Sequence, residues 1–195
     1  MKVSTQLGLG FALLALLWTT PAAAGEAEWK LLFDQAGLHL QRGNVEQAEL
    51  FAREAIAEAE RSFGRNSRAV DQSIATLGLV LRFAQRYPES EKEFRRALAM
   101  REKALGPRAP PVGILLNNLA DVVQAQKKYA EAEKLHRRVL AIFEKTYGED
   151  PKTAASLNNL GAVLQAQGRY ADAEPVLRRA LAMKEKTLGP NNPSV

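Results

Sequence analysis

A short pattern of residues returns four times along this chain at an almost constant spacing. Each copy closes on a glycine, at positions 64, 106, 148 and 189, so the spacings are 42, 42 and 41 residues. Leu-Asn-Asn-Leu stands at 116–119 and again at 157–160, and Tyr-Ala-x-Ala-Glu at 129–133 and 170–174. Because a fixed period of about 20–50 residues is the signature of stacked-repeat proteins, each period is expected to form one structural unit.

Each repeat is predicted to contain two helices, A and B. In the third repeat, helix A is expected at about 111–126 and helix B at about 130–147, because apolar residues recur at helical spacing in both. Helix A carries Leu116, Leu119, Ala120 and Val123 on one face, and helix B carries Ala132, Leu135, Val139, Ile142 and Phe143. The closing glycine can adopt the left-handed conformation that ends helix B, and a proline follows soon after in three of the copies.

Small residues recur where the two helices of a repeat should cross closely. They are Gly78, Ala120 and Gly161 in helix A, and Ala48, Ser90, Ala132 and Ala173 in helix B. The repeats are predicted at 25–64, 65–106, 107–148 and 149–189, and 190–195 as a linker into a further repeat. The first copy is the most diverged and is expected to cap the array. The last helix B has no polar cap in the sequence, which predicts either a covering subunit or partner, or a truncated member of a longer array.

The first 24 residues predict a secretory leader. Met1-Lys2 gives a short positive start, residues 7–18 form an apolar run of 12 residues, and residues 21–25 supply the small side chains that a signal peptidase requires. The run is shorter than the roughly 20 apolar residues of a membrane-spanning helix. We expect cleavage after Ala24 and a periplasmic or secreted chain with no membrane span, the alternative being a leader retained as an anchor.

Composition argues against an enzyme or a metal site. The chain has no cysteine and only two histidines, His39 and His136, which occupy non-equivalent positions in different repeats and are expected to be structural. Phosphate-binding glycine loops, nucleophile elbows and paired-histidine metal helices are absent from the sequence. No catalytic residue, metal or cofactor is therefore predicted.

Charged residues also recur in register. A glutamate precedes an arginine by four residues in every copy, as Glu49–Arg53, Glu91–Arg95, Glu133–Arg137 and Glu174–Arg178. On an exposed helix face such pairs stabilise by a few tenths of a kcal/mol each. Arg-Arg doublets at 95–96, 137–138 and 178–179 could form a basic track for nucleic acid or lipid headgroups, or a solvated outer face. The solvated face is favoured and no nucleic-acid partner is expected, because no aromatic residues lie among the doublets.

The quoted motifs resemble the tetratricopeptide repeat, in the long variety of kinesin light chains. The resemblance spans the mature chain and is close in the third and fourth copies. It implies an all-α fold, a right-handed α-solenoid of four stacked helix-turn-helix repeats whose A helices line a concave groove for an extended peptide. The inner residues that it assigns are Thr76, Arg82, Asn117, Asn118, Asp121, Gln124, Asn158, Asn159 and Gln165.

The resemblance implies a non-enzymatic scaffold for a protein or peptide partner. Asparagine amides both donate and accept, so they can pair with a peptide backbone of any sequence. Alternatively, Asn117 and Asn158 fasten neighbouring repeats together. A grip on a C-terminal carboxylate is not expected, because Arg82 is the only inner cation and Asp34 and Asp121 lie near it. The second hypothesis is a homo-oligomer assembled through the C-terminal repeat.

Overall fold

The computed structural model describes residues 21–189 and 192, and this part of the chain contains eight helices and no strand. The helices are α1 Pro21–Gln41, α2 Val45–Phe63, α3 Arg68–Phe83, α4 Tyr87–Leu105, α5 Pro110–Ala125, α6 Tyr129–Tyr147, α7 Pro151–Ala166 and α8 Tyr170–Leu188. The all-α prediction is confirmed, and the two helices expected in the third repeat begin and end within one residue of α5 and α6. Of the predicted leader, residues 1–20 lie outside the described part. Of the predicted linker, only Asn192 lies inside it.

The helix starts follow the positions of proline and of short polar side chains. Pro110 and Pro151 each occupy the first position of a helix, where the missing N–H has no partner to lose. Asp150, which precedes α7, accepts a hydrogen bond from the backbone nitrogen of Lys152 at 2.8 Å. Such a cap satisfies one of the four unpaired N–H groups at a helix start.

The glycine after α4 illustrates how every B helix ends. Gly106 has φ of +83° and its N–H donates to the carbonyl of Glu102, so the helix closes with a backbone bond. Its ψ of 155° is extended, not the value of a left-handed turn. The glycines after α2, α6 and α8 also have positive φ, from +63° to +87°. The predicted positive φ is confirmed, and the chain then leaves each helix in an extended direction.

The chain forms two compact units, which divide between Ser73 and Ile74. In the first unit, α1 packs along α2, whose alanines at 48, 52, 55 and 59 are fully buried and let the helices approach closely. Trp29 joins the parts of this unit: its ring lies 5.5 Å from that of Phe33 and 5.8 Å from that of Phe63, and its Nε1 donates to Ser73 Oγ at 2.9 Å.

In the second unit, successive helices pack against each other from α4 to α8. The core between α5 and α6 contains Val112, Leu116, Val139, Ile142 and Phe143, all at most 8% exposed. Each such side chain contributes about 1.5–3 kcal/mol by leaving water. The apolar stripes predicted for these helices are buried, apart from the half-buried Leu135.

Close helix crossings lie where the small residues recur. A Cβ atom added to Gly78 would lie 2.8 Å from the ring of Phe94, and Ser90 Oγ donates to the carbonyl of Gly78 at 2.7 Å. A Cβ added to Gly161 would overlap the side chain of Leu177. The predicted close crossings are confirmed for both glycines.

Candidate functional site

The predicted inner residues lie on three helices of the second unit. Thr76 and Arg82 lie on α3, the residues from Asn117 to Gln124 on α5, and the residues from Asn158 to Gln165 on α7. All of them are partly exposed except Gln165, which is exposed. Placing polar side chains on this one face leaves the opposite faces of α5 and α7 to the buried leucines and valines of the core.

A pocket of about 360 Å³ lies between α5 and α7. It is lined by Asp121, Gln124, Ala125, Tyr129, Asn159, Ala162 and Ala166. Three of the nine predicted residues therefore share one cavity, and three alanines line it beside them. Sequence reasoning missed Tyr129, although the tyrosine recurs at position 170, because Tyr129 begins a B helix and the inner residues were sought on the A helices.

The asparagines divide into a structural pair and a set without internal partners. Asn159 Nδ2 donates to Asn117 Oδ1 at 2.8 Å, which ties α7 to α5. The alternative role predicted for Asn117 and Asn158 is to fasten neighbouring repeats together. Asn117 does so, but its partner is Asn159, and Asn158 takes no part in that bond. Within the described residues, the side chains of Asn118, Asn158 and Gln124 make no hydrogen bond.

Arg82 and Asp121 form an ion pair between α3 and α5. Arg82 Nη1 lies 3.2 Å from Asp121 Oδ2, and both side chains are a little more than one third exposed. Burial raises the pKa of the Asp121 carboxyl above its usual value, and the charge of Arg82 opposes that rise. Since the guanidinium is already matched by a carboxylate, the geometry agrees with the expectation that Arg82 does not grip a peptide carboxylate.

Gln165 does not join the other inner residues. It lines a separate cavity of about 430 Å³ with Tyr170, Glu174, Leu177, Arg178 and Leu181 on α8. Thr76 lies half-buried on α3 and outside both cavities. The binding role of all nine predicted residues stays a prediction.

The recurring glutamates of the B helices were expected on an exposed face, and for the inner repeats this was wrong. Glu91 is 13% exposed and Glu133 is 9% exposed. Glu91 Oε2 accepts hydrogen bonds from Gln126 Nε2 at 2.7 Å and from Lys128 Nζ at 2.8 Å. These donors belong to the next repeat, so Glu91 links two repeats in addition to its contact with Arg95 on its own helix.

Glu133 repeats this arrangement one repeat later. Its carboxylate accepts from Gln167 Nε2 at 2.7 Å and from Arg169 Nη1 at 2.9 Å. Burial alone would raise the pKa of each glutamate, but the hydrogen bonds outweigh it: the pKa of Glu91 falls to about 2, and that of Glu133 also lies below its usual value. Glu174 at the equivalent position of α8 is 56% exposed and pairs with Arg178.

The arginine doublets are ion-paired within the protein. The first arginine of each doublet meets the glutamate four residues earlier, and Arg95 also meets Glu131 at 2.5 Å. In two doublets the second arginine contacts the preceding B helix: Arg138 lies 2.6 Å from Glu102, and Arg179 lies 2.7 Å from Glu144. Arg96 instead lies 3.9 Å from Glu93 on its own helix. This neutralisation favours the solvated face over a basic track.

Both histidines have structural surroundings. His136 is fully buried at the position that Phe94 occupies in the previous repeat, and neither ring nitrogen has a hydrogen-bond partner among the described residues. Burial lowers the pKa of His136 to about 4. His39 stacks on Phe51 with ring centroids 5.3 Å apart. No group of three or more histidines or carboxylates in the described part of the chain is arranged to hold a metal ion.

The repeat geometry agrees with a family model. A model of the tetratricopeptide repeat matches three overlapping segments, 28–103, 71–145 and 111–186, which together cover most of the chain. The chain belongs to the tetratricopeptide repeat family. Tetratricopeptide repeats mediate protein–protein interactions, and scaffolds of this family are generally not enzymes.

Several solved structures share the fold at low sequence identity. BtubC (BKLC) from P. vanneervenii superposes with a TM-score of 0.77 at 22% identity, over 90% of this chain and 68% of its own. A kinesin-light-chain-like protein of nearly identical repeats from Podosopora anserina gives 0.76 at 23%, over 90% and 82%. A Rap protein complexed with Competence and Sporulation Factor gives 0.70 at 16%, over 90% and 46%.

Two further comparisons returned nothing positive. No curated protein sequence matches the chain significantly. Within residues 21–189, no helix combines the length and the apolar character needed to cross a membrane.

Proposed function

We propose that this tetratricopeptide repeat protein is a non-enzymatic scaffold of the bacterial cell envelope that binds an extended peptide segment of a partner protein. The observation that carries the proposal is the pocket between α5 and α7, which is lined by two amides, a carboxylate, a phenol and three alanines. The small alanine side chains leave room for a peptide backbone, and the polar groups can pair with it.

The hydrogen-bonding capacity at this surface supports backbone binding. Asn159 uses one amide hydrogen on Asn117, which leaves a second donor and its carbonyl oxygen for a ligand. Asn118 and Gln124 have all their side-chain capacity unused by the described residues. Because amides both donate and accept, we infer a polar or mixed peptide bound with modest affinity and little sequence demand.

The charges of the surface support a ligand bound through its middle. Arg82 is paired with Asp121 and is therefore not an unmatched cation for a terminal carboxylate. The Rap protein, whose fold superposes on this chain, is complexed with Competence and Sporulation Factor in its solved structure. The envelope location is supported by the leader pattern of residues 1–24.

A peptide-display selection with amide variants tests this proposal. Peptides selected on the wild-type chain should bind Asn118→Ala/Asn159→Ala at least about tenfold more weakly, since each lost hydrogen bond to a buried backbone costs about 1 kcal/mol or more. Asn66→Ala, which changes an exposed asparagine in the loop before α3, is the matched control. Equal affinity for the double variant and the control would refute the groove.

A self-assembling module is the second candidate, and the outer face of α8 favours it. Tyr170 is 69% exposed and Leu181 44% exposed beside the 430 Å³ cavity. Light scattering after size exclusion over a dilution series tests this: oligomers that dissociate on Leu181→Glu would support it, and a monomer at all concentrations would refute it.

A further inference from the structure

The helix bounds place the start of the first repeat at Gly25. Helices α3, α5 and α7 each have 16 residues and follow Ser67, Ala109 and Asp150, at the repeat spacing of 42 and 41. The position one repeat before Ser67 is Gly25, and the equivalent 16-residue helix is 26–41. Helix α1 has 21 residues because five residues, 21–25, precede this 16-residue segment and have no counterpart in the A helices of the other repeats.

Gly25 lies in a tight contact between α1 and α2. It is buried, and a Cβ atom added there would overlap Ser62 Oγ and would lie 3.3 Å from Glu58 Oε1. The backbone nitrogen of a residue lies about 2.5 Å from its Cβ position, from standard bond lengths. The nitrogen of Gly25 is therefore within about 6 Å of the Glu58 carboxylate.

Glu58 occupies a core position. It is 3% exposed, and the equivalent residues of the later repeats are Met100, Ile142 and Met183. Ser62 Oγ donates to Glu58 Oε1 at 2.5 Å. Arg61, which is 71% exposed, forms an ion pair with Oε2, and Oε2 accepts no further hydrogen bond among the described residues. A single exposed cation offsets only part of the cost of burying a carboxylate.

We propose that removal of the leader after Ala24 supplies a second cation, so that the amino terminus of Gly25 pairs with Glu58 and completes the first repeat. Hydrolysis of the Ala24–Gly25 bond leaves a carboxylate on the leader and a protonated amine on Gly25. An ammonium group at the positive end of a helix is unfavourable unless acids lie close. Glu58 on α2 and Glu28 on α1 face this end, with Arg61 between them. The inference rests on the export proposed above but not on the groove.

The full chain, expressed with its own leader in a bacterial host, provides the test. Intact mass of the product should correspond to a chain that begins at Gly25. Its stability should then be compared with that of Glu58→Met, the residue of the equivalent position, and of Glu58→Gln. Pairing with Glu58 raises the pKa of the amine above its unfolded value of about 8, so this stability is present below pH 8 and is lost as the pH rises through the raised pKa.

Between pH 7 and pH 10, the unfolding constant of the processed wild type should rise about tenfold more than that of either variant, which corresponds to a pKa raised by about 1. Equal pH dependence in all three chains would overturn the pairing. A retained leader, or a first residue other than Gly25, would also overturn the pairing, because the amine of Gly25 would not exist. That result would leave peptide binding at the groove unaffected.

Discussion

The link that Glu91 makes between two repeats predicts an unusually large effect for a single charge on a helix face. Glu91→Gln keeps the size of the side chain and removes the negative charge that Lys128, Arg95 and Gln126 surround. The pKa of Glu91 falls from 4.5 to about 2, and at 1.36 kcal/mol for each tenfold change this sets an upper limit of about 3 kcal/mol of folding free energy, which screening by water lowers. Because glutamine still accepts one hydrogen bond, we expect a loss of about 2 kcal/mol at pH 7.

Glu174→Gln is the matched control for this change. It removes the same charge from the same repeat position of α8, where the carboxylate is 56% exposed and pairs with Arg178. Exposed pairs contribute about 0–1 kcal/mol. Urea unfolding of both variants at pH 7 measures the difference, and equal losses would refute the argument that the link between repeats carries the energy.

The pH dependence of the same two variants supplies a second check. The folded-state pKa of Glu91 lies below 4.5, so its contribution is fully present above pH 4.5 and is lost as the pH falls toward 2. The wild type and Glu174→Gln should lose this stability in that interval. Glu91→Gln should lose less, and the same acid dependence in all three chains would contradict the assignment.

Four further changes have outcomes that follow from the packing. His136→Leu should stabilise the fold, by about 2 kcal/mol more at pH 5 than at pH 7. Since the folded-state pKa of His136 is about 4, the wild type loses stability as the pH drops from 6.5 toward 4, and the leucine variant does not. Thermal unfolding at both pH values measures the difference. Gly78→Ala should lose about 1–3 kcal/mol against the buried Phe94 ring, whereas Gly37→Ala, which has no neighbour within 4 Å, should gain up to about 1 kcal/mol in the same urea assay. Lys127→Gly should gain about 1 kcal/mol, because Lys127 has φ of +63° in the turn after α5; a loss on calorimetry would refute strain there.

The fold could be predicted from the sequence because every level of the repeat agrees. Apolar spacing gave the helices, and the closing glycine and the prolines gave their ends. Small residues such as Gly78 and Gly161 gave the close crossings, since only a short side chain leaves room for Phe94 or Leu177. The extended ψ of the closing glycines was not predictable, because a glycine signal indicates positive φ without specifying the second angle.

The candidate site was harder to predict because the position of an amide in the repeat does not show which residue it bonds to. Asn117 and Asn159 are bonded to each other, and a pattern within one repeat cannot show a bond between two repeats. Glu91 was assigned to a solvated face for the same reason: the spacing to Arg95 is local, whereas Gln126 and Lys128 come from 35 and 37 residues further along.

The most direct test of peptide binding in the groove is nuclear magnetic resonance of the side-chain amides. A selected peptide should be titrated into ¹⁵N-labelled protein while the NH₂ signals of asparagine and glutamine are followed. Binding as proposed should shift Gln124 and Asn159, which line the pocket between α5 and α7, and leave Asn66 unchanged. Shifts confined to Gln165 beside α8, or no shift at saturating peptide, would contradict the proposal.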